Sequence, residues 1–209
     1  MKLKIYRIIF TILIISLIIV FGIISIKYYK NYLNEQENKK TVETFSRVLE
    51  IQQENHEEEQ EKKQDKQKEV TLNGYKVIGI VKIPKINLEY PILDLDTYNP
   101  EETKEPMKIS IVKYWGGKVN ELGNLSIAGH NNYDGTMFGK TKKMQVNDLI
   151  ELTDLTGNTI QYKIYNKFVT EPNDVTILET KDKTIREVTL ITCTNGNRER
   201  LILKAREIQ

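Results

Sequence analysis

The chain of 209 residues contains a single cysteine, Cys193, and two histidines, His56 and His130. A lone cysteine cannot form an internal disulfide, so it is a small buried side chain, an intermolecular cross-link or a reactive thiol. Cys193 follows the apolar run VTLIT, and His130 follows the apolar run NLSIA and a glycine. Both residues stand where a predicted strand meets a polar loop. If the two strands are neighbours, the thiol and the imidazole come together.

A thiol beside an imidazole has a defined chemical use. A free thiol has a pKa of about 8.5, and its thiolate is the form that attacks carbonyl carbon. A nearby imidazole or guanidinium stabilises the thiolate, and Arg198 and Arg200 follow Cys193 closely. A guanidinium also stabilises a developing oxyanion or holds a substrate carbonyl. From residue types alone, a packed cysteine and solvated arginines remain open alternatives.

The elements that must position these residues are short strands. After Val70 the sequence consists of stretches rich in Ile, Val, Thr and Tyr, separated by Gly, Asn, Asp and Pro, which is typical of strands and turns. The segment Asp154–Asn158 predicts a hairpin loop. About eight strands in about 140 residues predict an all-β fold, either a closed barrel or a sandwich, because both limit exposed edges. The predicted strands are Tyr75–Ile83, Leu88–Leu93, Ile109–Val112, Asn124–Ala128, Asp148–Leu152, Thr159–Tyr165, Val188–Thr192 and Arg200–Ala205.

The amino-terminal part of the chain has a different composition. Residues 1–7 form a short basic tail, and residues 8–26 are 19 residues without a charge, mostly Ile, Leu, Val and Phe. At ~1.5 Å per residue, a helix of this length spans the ~30 Å hydrocarbon core of a bilayer. The segment KYYKNYL follows instead of a small-residue cleavage site, which favours an uncleaved membrane anchor over a signal peptide. Basic residues on both sides nearly balance, so charge alone does not orient the anchor.

Residues 27–69 predict a charged stalk, helical or partly disordered, because they lack glycine and proline and contain few apolar residues. Val42, Phe45 and Leu49 form a narrow apolar stripe on such a helix. His56 lies in a charged run, where an inert, solvated side chain is expected. Residues 70–209 form the predicted β-domain. The 31 basic and 29 acidic residues give a net charge of +2, which indicates no nucleic-acid partner.

The residues around Cys193 and His130 resemble those of the sortases, membrane-anchored cysteine transpeptidases of mainly Gram-positive bacteria. The likeness rests on TLITC (Thr189–Cys193), on Arg200 at the head of RLILKA, and on the strand-Gly-His element NLSIAGHN, and it covers Gly74 to Arg206. It implies an eight-stranded β-barrel with short connecting helices. It also implies that Cys193 is the nucleophile, His130 the general acid/base, and Arg200 the residue that stabilises the oxyanion or holds the substrate. Arg198 is the rival for the last role.

The resemblance implies cleavage of a carboxy-terminal sorting signal of LPXTG type between Thr and Gly. A thioester on Cys193 is then resolved by an amine of a peptidoglycan precursor. The implied partners are surface proteins that carry such a signal, and the catalytic domain is expected outside the cytoplasm, with no cofactor or metal. The chain lacks the Asp-Pro-aromatic tripeptide found in the lid of pilus-building members. Its absence favours an anchoring role, with class B or class D as the nearest subclass.

The loop Glu171–Lys183 lies where the family recognises the sorting signal, and its acidic residues are too dispersed to predict a calcium site. A function from another class is also open, namely a non-catalytic, membrane-anchored β-domain that binds a surface partner. A papain-like protease is disfavoured, because that family places its cysteine before its histidine and here the order is reversed.

Overall fold

The computed structural model describes residues 2–58, 69–95, 102–180 and 182–208. Contacts divide the chain into two units, Met1–Glu37 and Asn38–Gln209. The helices are α1 (Lys2–Glu58) and α2 (Lys104–Met107), and short 3-10 helices lie at Pro84–Ile86, Phe138–Lys143 and Thr176–Leu178. The strands are β1 (Thr71–Leu72), β2 (Tyr75–Ile83), β3 (Leu88–Leu93), β4 (Ile111–Trp115), β5 (Gly123–Ala128), β6 (Leu149–Asp154), β7 (Thr159–Thr170), β8 (Arg186–Thr194) and β9 (Glu199–Glu207).

The first unit is the amino-terminal part of α1, which is apolar on all sides over residues 8–26. Its large hydrophobic side chains are exposed, with Phe10, Leu17 and Phe21 at 65, 69 and 72%. A helix that is hydrophobic all round is stable when an apolar environment surrounds it. Within the described residues, α1 is long and apolar enough to cross a membrane.

Eight strands of the second unit form a closed barrel. Their order is β2, β3, β4, β5, β8, β9, β7 and β6, and β6 pairs with β2 to complete the circle. Neighbouring strands are antiparallel except for β3 with β4 and β5 with β8, which are parallel. The predicted hairpin loop Asp154–Asn158 joins β6 to β7. Closure pairs each barrel strand on both sides. The eight-stranded barrel predicted from the sequence is confirmed.

Side chains alternate between the inside and the outside of the barrel. The inside holds the larger apolar cluster, with Ile127 of β5, Leu190 of β8 and Leu203 of β9 no more than 1% exposed. The aliphatic positions of the predicted strands therefore form the core that fixes the relative positions of these three strands.

The outside of the barrel carries a second apolar row, which we call the outer row. Strand pairing places one residue from each of seven neighbouring strands in register. Six of the seven are buried although they face outward, so other elements must cover them. Val42, Phe45 and Leu49 of α1 and Ile177 of the 3-10 helix belong to the same cluster. The outer row consists of Val77, Leu93, Val112, Ala128, Ile191, Ile202 and the partly buried Phe168.

The apolar stripe of the predicted stalk belongs to this cover. Val42, Phe45 and Leu49 are only 9, 2 and 9% exposed. Asn38 precedes them on the same helix, and its Nδ2 donates a hydrogen bond of 2.8 Å to the carbonyl oxygen of Ile109. Residues 38–49 therefore pack with the β-domain. Residues 59–68 of the predicted stalk and the side chain of His56 lie outside the described part of the chain.

Several strands end at other residues than the sequence predicts. β8 continues to Thr194, so Cys193 lies within the strand and not after it. β7 continues to Thr170 because it keeps pairing with β9 beyond a bulge after Ile164. β4 begins at Ile111 instead of Ile109, because the amide of Ile109 donates to the carbonyl oxygen of Pro106 in α2.

Candidate active site

Strand pairing sets Cys193 beside Arg200 and brings the end of β5, which precedes His130, next to β8. β5 pairs with β8 at a constant offset of 63 residues, from Gly123 with Arg186 to Ala128 with Ile191. β5 ends at Ala128, and the same offset continued for two residues leads to His130 and Cys193. Cys193 is in turn paired with Arg200 on β9. We call His130, Cys193 and Arg200 the row, because each lies two residues beyond a residue of the outer row.

Two hydrogen bonds, one from the amide of Gly129 and one to its carbonyl oxygen, attach the chain after β5 to β8. The Gly129 amide donates to the carbonyl oxygen of Ile191 at 3.2 Å, and its carbonyl oxygen accepts from Thr192 Oγ1 at 2.7 Å. A side chain at Gly129 would place its Cβ 3.0 Å from the ring of Phe138, which explains the glycine before the histidine. The carbonyl oxygen of His130 accepts from the amide of Phe138 at 3.0 Å. The backbone of His130 is therefore fixed from both neighbouring segments.

Cys193 is half-buried and free, and Asn131 fixes its backbone. The Nδ2 of Asn131 donates a hydrogen bond of 2.8 Å to the carbonyl oxygen of Cys193. This bond links the residue after the histidine to the cysteine itself. Asn131 leaves no distinctive signal in the sequence, because an asparagine in the polar loop NNYDG is also typical of an ordinary turn.

A turn separates the two candidate arginines. Asn195 and Asn197 adopt left-handed backbone conformations, with φ of 48° and 71°, and reverse the chain between β8 and β9. Arg198 is exposed in this turn, whereas Arg200 is the second residue of β9 and is half-buried. The Nη1 of Arg200 donates to the carbonyl oxygens of Asn197 at 3.1 Å and Glu199 at 3.2 Å. The strand position of Arg200 sets it beside the cysteine, and Arg198 lies outside the row.

Two effects lower the pKa of His130. Partial burial removes water that would solvate the imidazolium, and the positive charge of Lys108 disfavours a second positive charge nearby. Lys108 lies in the turn before β4, where its ammonium group also donates to the carboxylate of Glu105. At neutral pH the imidazole is therefore favoured in its neutral form, which is the form that accepts a proton from a thiol.

Across the described residues, no three His, Cys, Asp or Glu side chains gather as ligands of a metal ion. In the loop that follows β7, Asp174 is bound within its own turn. Its carboxylate accepts from Thr170 Oγ1 at 2.6 Å and from the Thr176 amide at 2.9 Å. Both bonds lower the pKa of Asp174. The carboxylate therefore has a structural use in holding the loop.

The fold and the row define a closed β-barrel with a cysteine site at its rim. The Sortase domain family model matches residues 81–208. This match covers more than half of the chain, and the chain belongs to the sortase family. The family resemblance inferred from TLITC and NLSIAGHN is thereby confirmed.

Individual relatives agree with this assignment. Sortase A of Bacillus anthracis is 29% identical over 124 residues, which are 59% of this chain and 55% of the relative. The chain thus spans about half the length of that curated relative. The solved Sortase D5 transpeptidase of Clostridium perfringens is 30% identical, with a TM-score of 0.60 over 83% of this chain and 99% of that one. Sortase A from Corynebacterium diphtheriae, at 24% identity and a TM-score of 0.56 over 65% and 62% of the two chains, shares the fold.

Proposed function

We propose that the protein is a cysteine transpeptidase with endopeptidase chemistry. It cleaves an LPXTG-like carboxy-terminal sorting signal between Thr and Gly and transfers the cleaved protein to an amine of a peptidoglycan precursor. The observation that carries the proposal is the register of β5, β8 and β9, which pairs Cys193 with Arg200 and brings the end of β5, two residues before His130, beside β8. Membership of the sortase family supports the class of reaction.

In the first step, the Sγ of Cys193 attacks the carbonyl carbon of the threonine. The neutral imidazole of His130 accepts the thiol proton as the new carbon–sulfur bond forms. Negative charge develops on the carbonyl oxygen, and a guanidinium at the Arg200 position stabilises it. The lowered pKa of His130 supports this role, because it keeps the imidazole ready to accept a proton at neutral pH.

In the second step, the bond between threonine and glycine breaks. The imidazolium of His130 returns its proton to the leaving amine, which leaves a thioester on Cys193. The acceptor amine then attacks the thioester carbon and loses a proton to His130. The thiolate leaves and is protonated again, so the enzyme returns to its starting state.

We further propose that residues 8–26 anchor the protein in the cell membrane with the barrel outside the cytoplasm. The exposed apolar surface of this helix supports the anchor, and an extracytoplasmic barrel agrees with a cell-wall substrate. Of the two subclasses considered, the likeness to the Sortase D5 structure, which is matched over 99% of its length, supports class D.

The test uses the full-length protein in detergent and a fluorogenic LPXTG peptide. Cys193→Ala is expected to abolish cleavage, and His130→Ala to reduce it by about 10²- to 10⁴-fold, the usual contribution of a general acid/base. Thr194→Ala is the matched control, because the next residue of β8 lies on the other face of the strand and should leave activity unchanged. Undiminished cleavage by Cys193→Ala would reject the proposal.

A second measurement separates this function from that of a non-catalytic binding domain. Iodoacetamide should alkylate Cys193 in the native protein, and more slowly in His130→Ala, because the imidazole promotes thiolate formation. A thiol that resists alkylation in the folded protein favours the binding domain instead.

A further inference from the structure

The segment 171–180, between β7 and β8, forms one side of the surface next to the cysteine. It begins beside Arg200, because Thr170 is paired with Arg200 in the sheet. Its 3-10 helix places Ile177, 6% exposed, in the apolar cluster that contains Ala128 and Ile191. These two residues of the outer row precede His130 and Cys193 by two positions each. A peptide that reaches the thiol along this face must therefore lie against segment 171–180.

Asn124 binds this segment to the barrel from the outer face of β5. Its Nδ2 donates a hydrogen bond of 3.0 Å to the carbonyl oxygen of Leu178 and lies 3.5 Å from that of Ile177. Asn124 is 7% exposed and Ile177 is 6% exposed, whereas Leu178 is partly buried, so the Asn124 amide itself is shielded from water. A hydrogen bond in such a place is lost without replacement when its donor is removed.

Neighbouring side chains fix which way the Asn124 amide points. Thr189 Oγ1 donates to Asn124 Oδ1 at 2.8 Å, and Asn124 Nδ2 lies 3.2 Å from Ser126 Oγ. Since a hydroxyl donor faces the oxygen, the amide nitrogen is directed at segment 171–180. The donor is thus oriented by the barrel before any substrate binds.

A cavity of about 400 Å³ lies beside this attachment, whereas Ile177 packs in the apolar cluster. Leu178 and Thr180 line one side of the cavity, and Trp115 and Asn124 line the other. The segment is held here by polar contacts. Besides Asn124, Lys204 Nζ donates to the carbonyl oxygen of Glu179 at 3.0 Å, and Thr180 donates to the carboxylate of Glu187.

We infer that Asn124 is a positioning residue for the sorting signal, which it serves by holding segment 171–180 in place before the peptide binds. This inference rests on the proposed transpeptidase function. Without the Asn124 donor, the peptide must order the segment as it binds, and the lost binding free energy appears in KM. Asn124 is a residue of β5 and lies six residues before His130 in the chain. Its substitution should therefore leave the chemical step, and with it kcat, unchanged.

The experiment compares Asn124→Ala, Asn124→Asp and Thr189→Val in the full-length protein, with the fluorogenic LPXTG peptide as substrate. Asn124→Asp still accepts from Thr189 but cannot donate to the Leu178 carbonyl, so it tests the donor without shortening the side chain. Both Asn124 variants should raise KM about 3- to 10-fold, as expected for one hydrogen bond, with kcat within about 2-fold. Thr189→Val removes the bond that orients the amide but leaves the donor, so its KM should rise less than the KM of either Asn124 variant.

Amide hydrogen exchange without peptide gives a readout independent of activity. Both Asn124 variants should accelerate exchange in residues 174–180, and more than Thr189→Val does. An unchanged KM, a fall in kcat alone, or a lower KM would overturn the inference, the last because it would show that the segment obstructs the peptide. A wild-type protein that cleaves no sorting peptide rejects the proposed function and the inference together, whereas an active wild type with unaffected Asn124 variants rejects the inference alone.

Discussion

Phe45 offers a direct test of whether the helix segment 38–49 is part of the folded catalytic domain. The side chain is 2% exposed and belongs to the cluster that covers the outer row. Phe45→Ala removes the ring and leaves a cavity between α1 and the barrel. If the segment were only a stalk, this substitution would leave the stability of the barrel unchanged.

The expected loss follows from burial. Replacing a fully buried phenylalanine by alanine costs about 3–5 kcal/mol of the free energy of unfolding, since transfer and cavity contributions add. In domains of about 150–250 residues, each kcal/mol moves the melting temperature by about 2–4 °C. We therefore expect Phe45→Ala to lower the melting temperature by about 6–20 °C.

The measurement is thermal unfolding of the detergent-solubilised full-length protein, followed by circular dichroism in the β-sheet region. Ser46→Ala, at an exposed position of the same helix, is the control and should stay within about 0.5 kcal/mol of the wild type. A melting temperature for Phe45→Ala within about 2 °C of this control would show that the segment contributes nothing to the domain, and the reasoning would be wrong.

Two further predictions concern charge. Lys108→Gln removes a positive charge that lowers the pKa of His130, so this pKa should rise. The acid limb of the pH profile of kcat/KM should then move to higher pH. An acid limb that stays in place would contradict the assignment of His130 as the base. Glu187→Gln should destabilise the barrel by about 1–3 kcal/mol at pH 7, as measured by urea unfolding. Burial raises the pKa of Glu187, but hydrogen bonds from Thr180, Tyr165 and Arg206 outweigh burial and lower it. The wild type should therefore lose this advantage progressively as the pH falls below about 4.3, and an advantage that does not diminish with falling pH would contradict the account.

Sequence reasoning predicted the all-β fold and named the three residues of the row as candidates, because strands and reactive side chains leave local signals. The resemblance to the sortases then selected the barrel over the sandwich. Strands of β-branched residues ended by Asn, Gly and Pro are visible without a structure. The polar contacts around the row leave no such signal. Asn124 and Asn131 are ordinary asparagines in the sequence, and their roles depend on partners more than fifty residues away, Leu178 and Cys193.

The strand ends show the same limit. The sequence places Cys193 after its strand because polar residues follow it, yet β8 continues to Thr194. Cys193 and Thr194 keep pairing with Arg200 and Glu199 of β9, and the turn begins only at Asn195. Such pairing depends on the antiparallel partner and not on the residue types that follow the cysteine. The apolar stripe of α1 was visible as a pattern, but a narrow stripe alone does not identify the surface that it covers.

The parallel pairing of β5 with β8 also has a consequence for how the protein acquires its activity. The pairing of β5 with β8 joins residues 63 positions apart, and chain segments at such a distance join slowly because a long loop must close first. A partly folded chain, with local hairpins such as β6 and β7 formed, therefore still keeps its thiol and its imidazole apart. Cleavage of the sorting peptide should appear together with complete folding, so the recovery of activity during refolding would report the pairing of these two strands.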